Sequence, residues 1–98
     1  MEFTTEAWGG ARMVIPDNPT VLQIVTYDSK MYELKGSPAL IKLWEMAKTM
    51  IEEWECEALP DLNTDLSEVT DPRAARVLEW ATNLVANHRR QLDLIPKN

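Results

Sequence analysis

Cysteine, histidine and phenylalanine each occur once in these 98 residues, and glycine three times. Each scarcity closes off some chemistry. A lone Cys56 cannot form an intramolecular disulfide or an all-cysteine zinc site, and it suits a reducing compartment. A lone His88 leaves few ways to hold a base against a nucleophile. The glycines fall in no G-x-G-x-x-G or G-x-x-x-x-G-K-[ST] pattern, so no phosphate cradle is expected. G-x-S-x-G and H-E-x-x-H are missing as well. We therefore expect no catalytic residue and no cofactor. A small enzyme is an alternative reading that would gain only if a pocket placed His88 beside carboxylates.

Long apolar runs are also lacking. The longest charge-free stretch, Asn18 to Tyr27, has ten residues, about half of the ~20 a spanning helix needs. The opening "MEFTTEAWGG" carries an acid where a leader has basic residues, and no apolar segment follows. The expectation is a soluble, cytoplasmic protein without membrane contact.

Positive charge is missing from one long segment. No Lys or Arg lies between Lys48 and Arg73, while Glu52, Glu53, Glu55, Glu57, Asp61, Asp65, Glu68 and Asp71 make up half of the sixteen acids. Acidic blocks of this kind are commonly solvated faces and loops; otherwise they meet something positive, a cation or a basic protein. The net charge of −6 and pI of about 4.7 oppose direct binding to a phosphate backbone. They are compatible with a mimic of nucleic acid that occupies a basic groove, although −6 is modest for that role.

What the chain does have is enough to fold. Apolar residues are 45% and charged residues 27% of the sequence, with four tryptophans. That is an ordinary globular balance for one domain spanning residues 1–98. Residues 1–36 are punctuated by "GG" at 9–10, "PDNP" at 16–19 and "DSK" at 28–30. The segments between them, "ARMVI", "TVLQIVTY" and "MYELK", are rich in β-branched and aromatic residues, and "EFTTEAW" is a further candidate strand. Thr20–Tyr27 is apolar on both sides, as in a central strand covered twice. In so short a chain the second cover is a candidate for a partner molecule.

Two amphipathic helices follow. Ser37 and Pro38 read as a cap and first-turn proline, and residues 38–58 gather Leu40, Leu43, Trp44, Ala47, Met50, Ile51, Trp54 and Ala58 on one stripe. Cys56 falls opposite. Asp71 and Pro72 repeat the same start, and Ala74, Val77, Leu78, Ala81, Leu84, Val85, His88 and Leu92 form the second stripe. The fold expected is α+β: an antiparallel meander of three or four strands over residues 2–35, packed by an antiparallel helix hairpin at about 38–58 and 72–94.

Two further constellations remain. "DLNTDLSEVTDP" spaces Asp61, Asn63 and Asp65 like the start of a calcium loop between helices. Leu66 then stands where the loop needs Gly, and Pro72 where it needs Glu. A weak calcium site is the most this helix–loop–helix reading allows. Trp80 and Met46 lie on the flanks of the two stripes, where such residues either cover a sheet edge or address a partner. The function expected from the sequence is a non-catalytic protein–protein interaction module: an adaptor, inhibitor or self-associating protein. Its contacts would come from Trp80, Met46, Glu52, Glu53, Glu55, Glu57, Asp61, Asp65 and Glu68.

Overall fold

A computed structural model describes residues 1–93. The fold is α+β, a three-stranded antiparallel sheet packed by three helices. Strand β1 (Glu2–Thr5) turns through a short 3-10 segment at Ala7–Gly9 into β2 (Ala11–Val14). Helices α1 (Val21–Glu33) and α2 (Ala39–Lys48) follow, and the chain returns to the sheet as β3 (Glu53–Cys56). A 3-10 turn at Leu66–Glu68 then leads to α3 (Arg73–Leu92).

The strand order is β1-β2-β3, with Glu2 opposite Val14 opposite Glu53 at one end and Thr5 opposite Ala11 opposite Cys56 at the other. Backbone bonds extend the ladder: Ile15 N–H donates to Met1 O at 2.9 Å, and Glu52 N–H to Val14 O at 2.8 Å. The β1–β2 link bends sharply, with positive φ at Trp8, Gly9 and Gly10. At Gly9 the lack of a side chain also leaves room for the Glu57–Arg73 ion pair, which lies where a Cβ would project.

Three expected elements are corrected. Thr20–Tyr27 is not a strand but the start of α1. Its β-branched residues suggested a strand, yet Thr20 and Gln23 form a capping box: Gln23 N–H donates to Thr20 Oγ1 at 3.1 Å, and Thr20 N–H to Gln23 Oε1 at 2.9 Å. Two end donors are thereby satisfied at once. Thr26 and Ser29 turn their hydroxyls to the carbonyls of Leu22 and Val25, each at 2.7 Å. The "MYELK" segment, expected as a strand, is the end of this helix and its exit turn.

The long helix at 38–58 also divides. Met50, Ile51, Trp54 and Ala58 fit a helical stripe, but "EWECE" at 53–57 alternates equally well at period two. Thr49 marks the break: its Oγ1 donates to Met46 O at 2.6 Å, and the amides of Thr49 and Met50 bond three residues back, tightening the last turn. The chain then pairs with β2, which would otherwise have an unpaired edge beside the core residues Ala11 and Met13. The third strand thus comes from residues 53–56, outside the 2–35 span in which the meander was expected.

Ser37 does not cap α2, which starts one residue after Pro38 with no side-chain cap. Asp71 accepts from Arg73 N–H at 3.0 Å at the start of α3, and the described part of that helix ends at Leu92. Residue 94, the expected end, lies outside the described residues.

The core joins β2 (Ala11, Met13, Ile15), Tyr27 of α1, α2 (Trp44, Met46, Ala47, Met50), Ala58 and Leu59, and the α3 stripe from Ala74 to Val85. Trp54 of β3 stacks edge-on against Trp44 at 5.6 Å and donates its indole N–H to Leu59 O at 2.6 Å. Of the α3 stripe, Ala74, Val77, Leu78, Ala81 and Val85 are buried as the spacing predicts, with Thr82 added, while Leu84, His88 and Leu92 are half-buried; the Thr82 hydroxyl is satisfied by Glu79 O.

Candidate interaction surfaces

Strand alternation sends Phe3, Thr5, Ala11, Met13, Trp54 and Cys56 toward the helices, and Glu2, Thr4, Arg12, Val14, Glu53 and Glu55 toward solvent. The outer face is consequently charged. Arg12 Nε donates to Glu2 Oε1 at 2.8 Å, and its Nη1 lies 3.7 Å from both Glu53 and Glu55. The Glu2 hydrogen bond and the surrounding carboxylates hold the guanidinium proton more firmly than usual. One cation among three carboxylates leaves this face net negative, and exposed Glu52 and Glu57 border it.

The acidic connector is used locally. Asp61 Oδ1 accepts from Asn63 N–H at 2.9 Å, and Asp65 Oδ1 from Ser67 N–H at 3.0 Å and Ser67 Oγ at 2.8 Å. These bonds from Ser67 keep the Asp65 carboxyl below its ordinary pKa. Among the described residues, no three His, Cys, Asp or Glu side chains are grouped so as to hold a metal ion. Asp61, Asn63 and Asp65 build turns, and Glu68 stays exposed at the end of the 3-10 segment.

Cys56 is corrected from outward to inward: it lies on the core side of β3, half-buried beside Trp54. His88 sits half-buried within the α3 stripe, its Nε2 2.9 Å from Pro16 O. That contact marks the far end of β2 from Ala11, the neighbour of Cys56. Five residue steps of extended chain, roughly 16 Å, separate the two ends. The thiol and the imidazole do not share a site.

The expected partner-binding pair also separates. Met46 is 5% exposed and belongs to the core, so it offers nothing to a partner. Helix α2 packs against both α1 and α3, so its covered side is wider than the single stripe and takes in this flank. Trp80 is half-buried and packs against the core.

Among the described residues, the exposed large apolar side chains are on α1 apart from Met1. Val21 is 77% exposed, Leu22 75%, Val25 54% and Tyr32 83%. At 100° per residue these four and Ser29 occupy one side of the helix, while Ile24 and Tyr27 face inward on the other. The side charge, Asp28, is clamped by Arg89 of α3 at 3.1 and 2.9 Å. The sequence reading missed these residues as a helical face. The capping signature "TVLQ" at 20–23 would have revealed it, and the two-sided apolarity of 20–27 had already marked the segment as wanting a second cover.

Comparison with known proteins gives no matching protein family, no similar curated sequence and no similar solved structure. Among the described residues no helix is long and apolar enough to cross a membrane.

Proposed function

We propose that the chain is a non-catalytic protein–protein interaction module of the cytoplasm. One observation carries this reading: four large apolar side chains, each more than half exposed, lie on a single side of α1. Together they form a patch on the order of 500 Å², the size of the largest apolar patch on a typical monomer, which is often functional. Scattered single hydrophobics would need no explanation; a contiguous helical stripe does.

The acidic connector and outer sheet face give the module a strong sign of charge. Exposed charges mainly accelerate encounter with an oppositely charged partner and select against like-charged ones. Glu52, Glu53, Glu55 and Glu57, with Asp61, Asp65 and Glu68, are assigned that steering role toward a basic protein. The apolar contact itself moves from the Trp80 and Met46 pair to α1.

Quantitative affinity capture with three proteins tests this: the parent chain, Val25→Asp, and the quadruple Gln variant of Glu52, Glu53, Glu55 and Glu57. The module reading expects a specific bound protein that Val25→Asp loses, and that the Gln variant binds more slowly at low salt. A bound set unchanged by Val25→Asp would refute α1 as the contact face.

A further inference from the structure

The occupant of the α1 face is argued from its pattern, its charge and its area, and the inference rests on the proposal that this face is an interaction surface. We infer that it takes a second copy of this chain, through antiparallel pairing of α1 with α1 about a two-fold axis beside residue 27.

The pattern is self-complementary. Leu22, Val25, Ser29 and Tyr32 follow the three–four–three spacing by which apolar residues line a helix-pairing seam. Two-fold pairing about residue 27 sets Leu22 against Tyr32 of the second copy, and Val25 against Ser29. Large residues meet at the ends and small ones at the centre, where the helix backbones must approach. The Ser29 hydroxyl is already bonded to Val25 O, so covering it strands no donor.

The charges permit it. Asp28 falls opposite Thr26 of the second copy and Glu33 opposite Val21, so no like charges confront each other across the seam. Each Asp28 is in addition neutralised by its own Arg89. Residues 18–51, which contain this face, carry Asp28, Glu33 and Glu45 against Lys30, Lys35, Lys42 and Lys48. A body of net charge −6 repels its copy. Docking through this nearly balanced segment avoids meeting through residues 52–71, where all eight charges are acidic.

The area sets the strength. About 500 Å² per copy is below the ~800 Å² per partner of a standard stable interface, which places the contact among weak associations. A dimer that forms and dissociates across the micromolar-to-millimolar range is expected.

Sedimentation equilibrium of the pure full chain from 1 µM to 1 mM, at 0.1 and 1 M NaCl, tests it, with far-UV circular dichroism checking each variant's fold. The parent chain should show a monomer–dimer equilibrium that is maintained or strengthened at 1 M NaCl, because the copies carry like net charge. Leu22→Lys alone and Tyr32→Glu alone should each weaken it at least 30-fold. An equimolar mixture of the two should recover dimer, since the ammonium introduced in one chain then faces the carboxylate introduced in the other. A parent chain monomeric at 1 mM, a dimer lost at 1 M NaCl, or a mixture no more associated than its components would each overturn the inference. The wider module reading fails separately: a monomeric chain whose captured partner is lost in Val25→Asp sinks the second copy alone, and one with no such partner sinks both.

Discussion

Replacing either of two stacked tryptophans with phenylalanine should produce an inverted ranking of damage. Trp44 is fully buried, whereas Trp54 is only half-buried, so area alone predicts that Trp44→Phe costs more. Their polar atoms argue the other way. The Trp54 indole N–H donates to Leu59 O at 2.6 Å, and Leu59 is fully buried, so losing the donor orphans a carbonyl that water does not reach. Stranding such a group costs about 1–3 kcal/mol. The Trp44 indole nitrogen is buried with no hydrogen-bond partner. Its removal relieves a desolvation penalty of about the same size, which offsets a cavity cost of roughly 1 kcal/mol for ~40 Å³ of lost ring. We expect Trp54→Phe to cost about 2–3 kcal/mol and Trp44→Phe about 0–1 kcal/mol, a gap of roughly 10 °C in Tm for a domain of this size. Urea and thermal unfolding followed by far-UV circular dichroism measure both without relying on tryptophan fluorescence. Trp44→Phe destabilising as much as Trp54→Phe would refute the hydrogen-bond reasoning.

Other perturbations follow from the same geometry. Thr20→Ala removes one half of the capping box and should cost about 1 kcal/mol, with fraying of α1 visible as faster amide exchange at its first turn. Asp71 is held below the usual carboxylate range by hydrogen bonds from the Arg73 guanidinium and then the Arg73 amide. Its stabilising effect is therefore fully present above the ordinary Asp pKa of about 3.9 and is lost as pH falls through the lower folded value. The Tm difference between the parent chain and Asp71→Asn should accordingly shrink below about pH 4, and a constant difference down to pH 2 would contradict this assignment. Gly36 has φ +85° in open space, so Gly36→Ala should cost about 1 kcal/mol from backbone strain alone, with Gly36→Asn costing less; equal losses would count against strain as the cause.

How much of this was legible in the sequence depends on segment length and on which period each segment obeys. Helix α3 reads correctly because twenty residues keep one phase, and a stripe repeated over five turns admits no other period. The first hairpin reads correctly because Gly9 and Gly10 separate two short β-branched runs. Residues 50–58 do not, because four apolar positions satisfy a helix while Glu53, Glu55 and Glu57 satisfy a strand, and only the free edge of β2 resolves the choice. Residues 20–27 mislead through composition: Val21, Ile24 and Val25 favour strands, but the cap formed by Thr20 and Gln23 and the burial of Tyr27 outweigh that preference. The candidate surface inherits the second error, because the exposed side of α1 is hidden inside an expected strand. Met46 has a separate cause: it lies off the centre of its stripe, but α2 is covered from two sides, by α1 and α3.

The distribution of polarity then bears on where a partner can sit. An antiparallel sheet ordinarily keeps one face wet, and here that face is held open by Arg12, whose guanidinium gathers Glu2, Glu53 and Glu55 around it. Covering this face would desolvate three carboxylates sharing one cation, a costly step for any partner that is not itself basic. The helix layer has the opposite character. Helix α2 is consumed by the core and α3 buries its stripe, but α1 packs chiefly on α2 and turns Ile24 and Tyr27 inward while leaving Val21, Leu22, Val25 and Tyr32 outward. At 16 Å in its thinnest dimension the described part of the molecule has no third layer to cover them. An apolar helix face and a carboxylate-rich sheet face would thus favour different ligands. On the proposals above, the first would take a nearly uncharged surface such as its own copy, and the second would attract cationic protein at longer range without burying it.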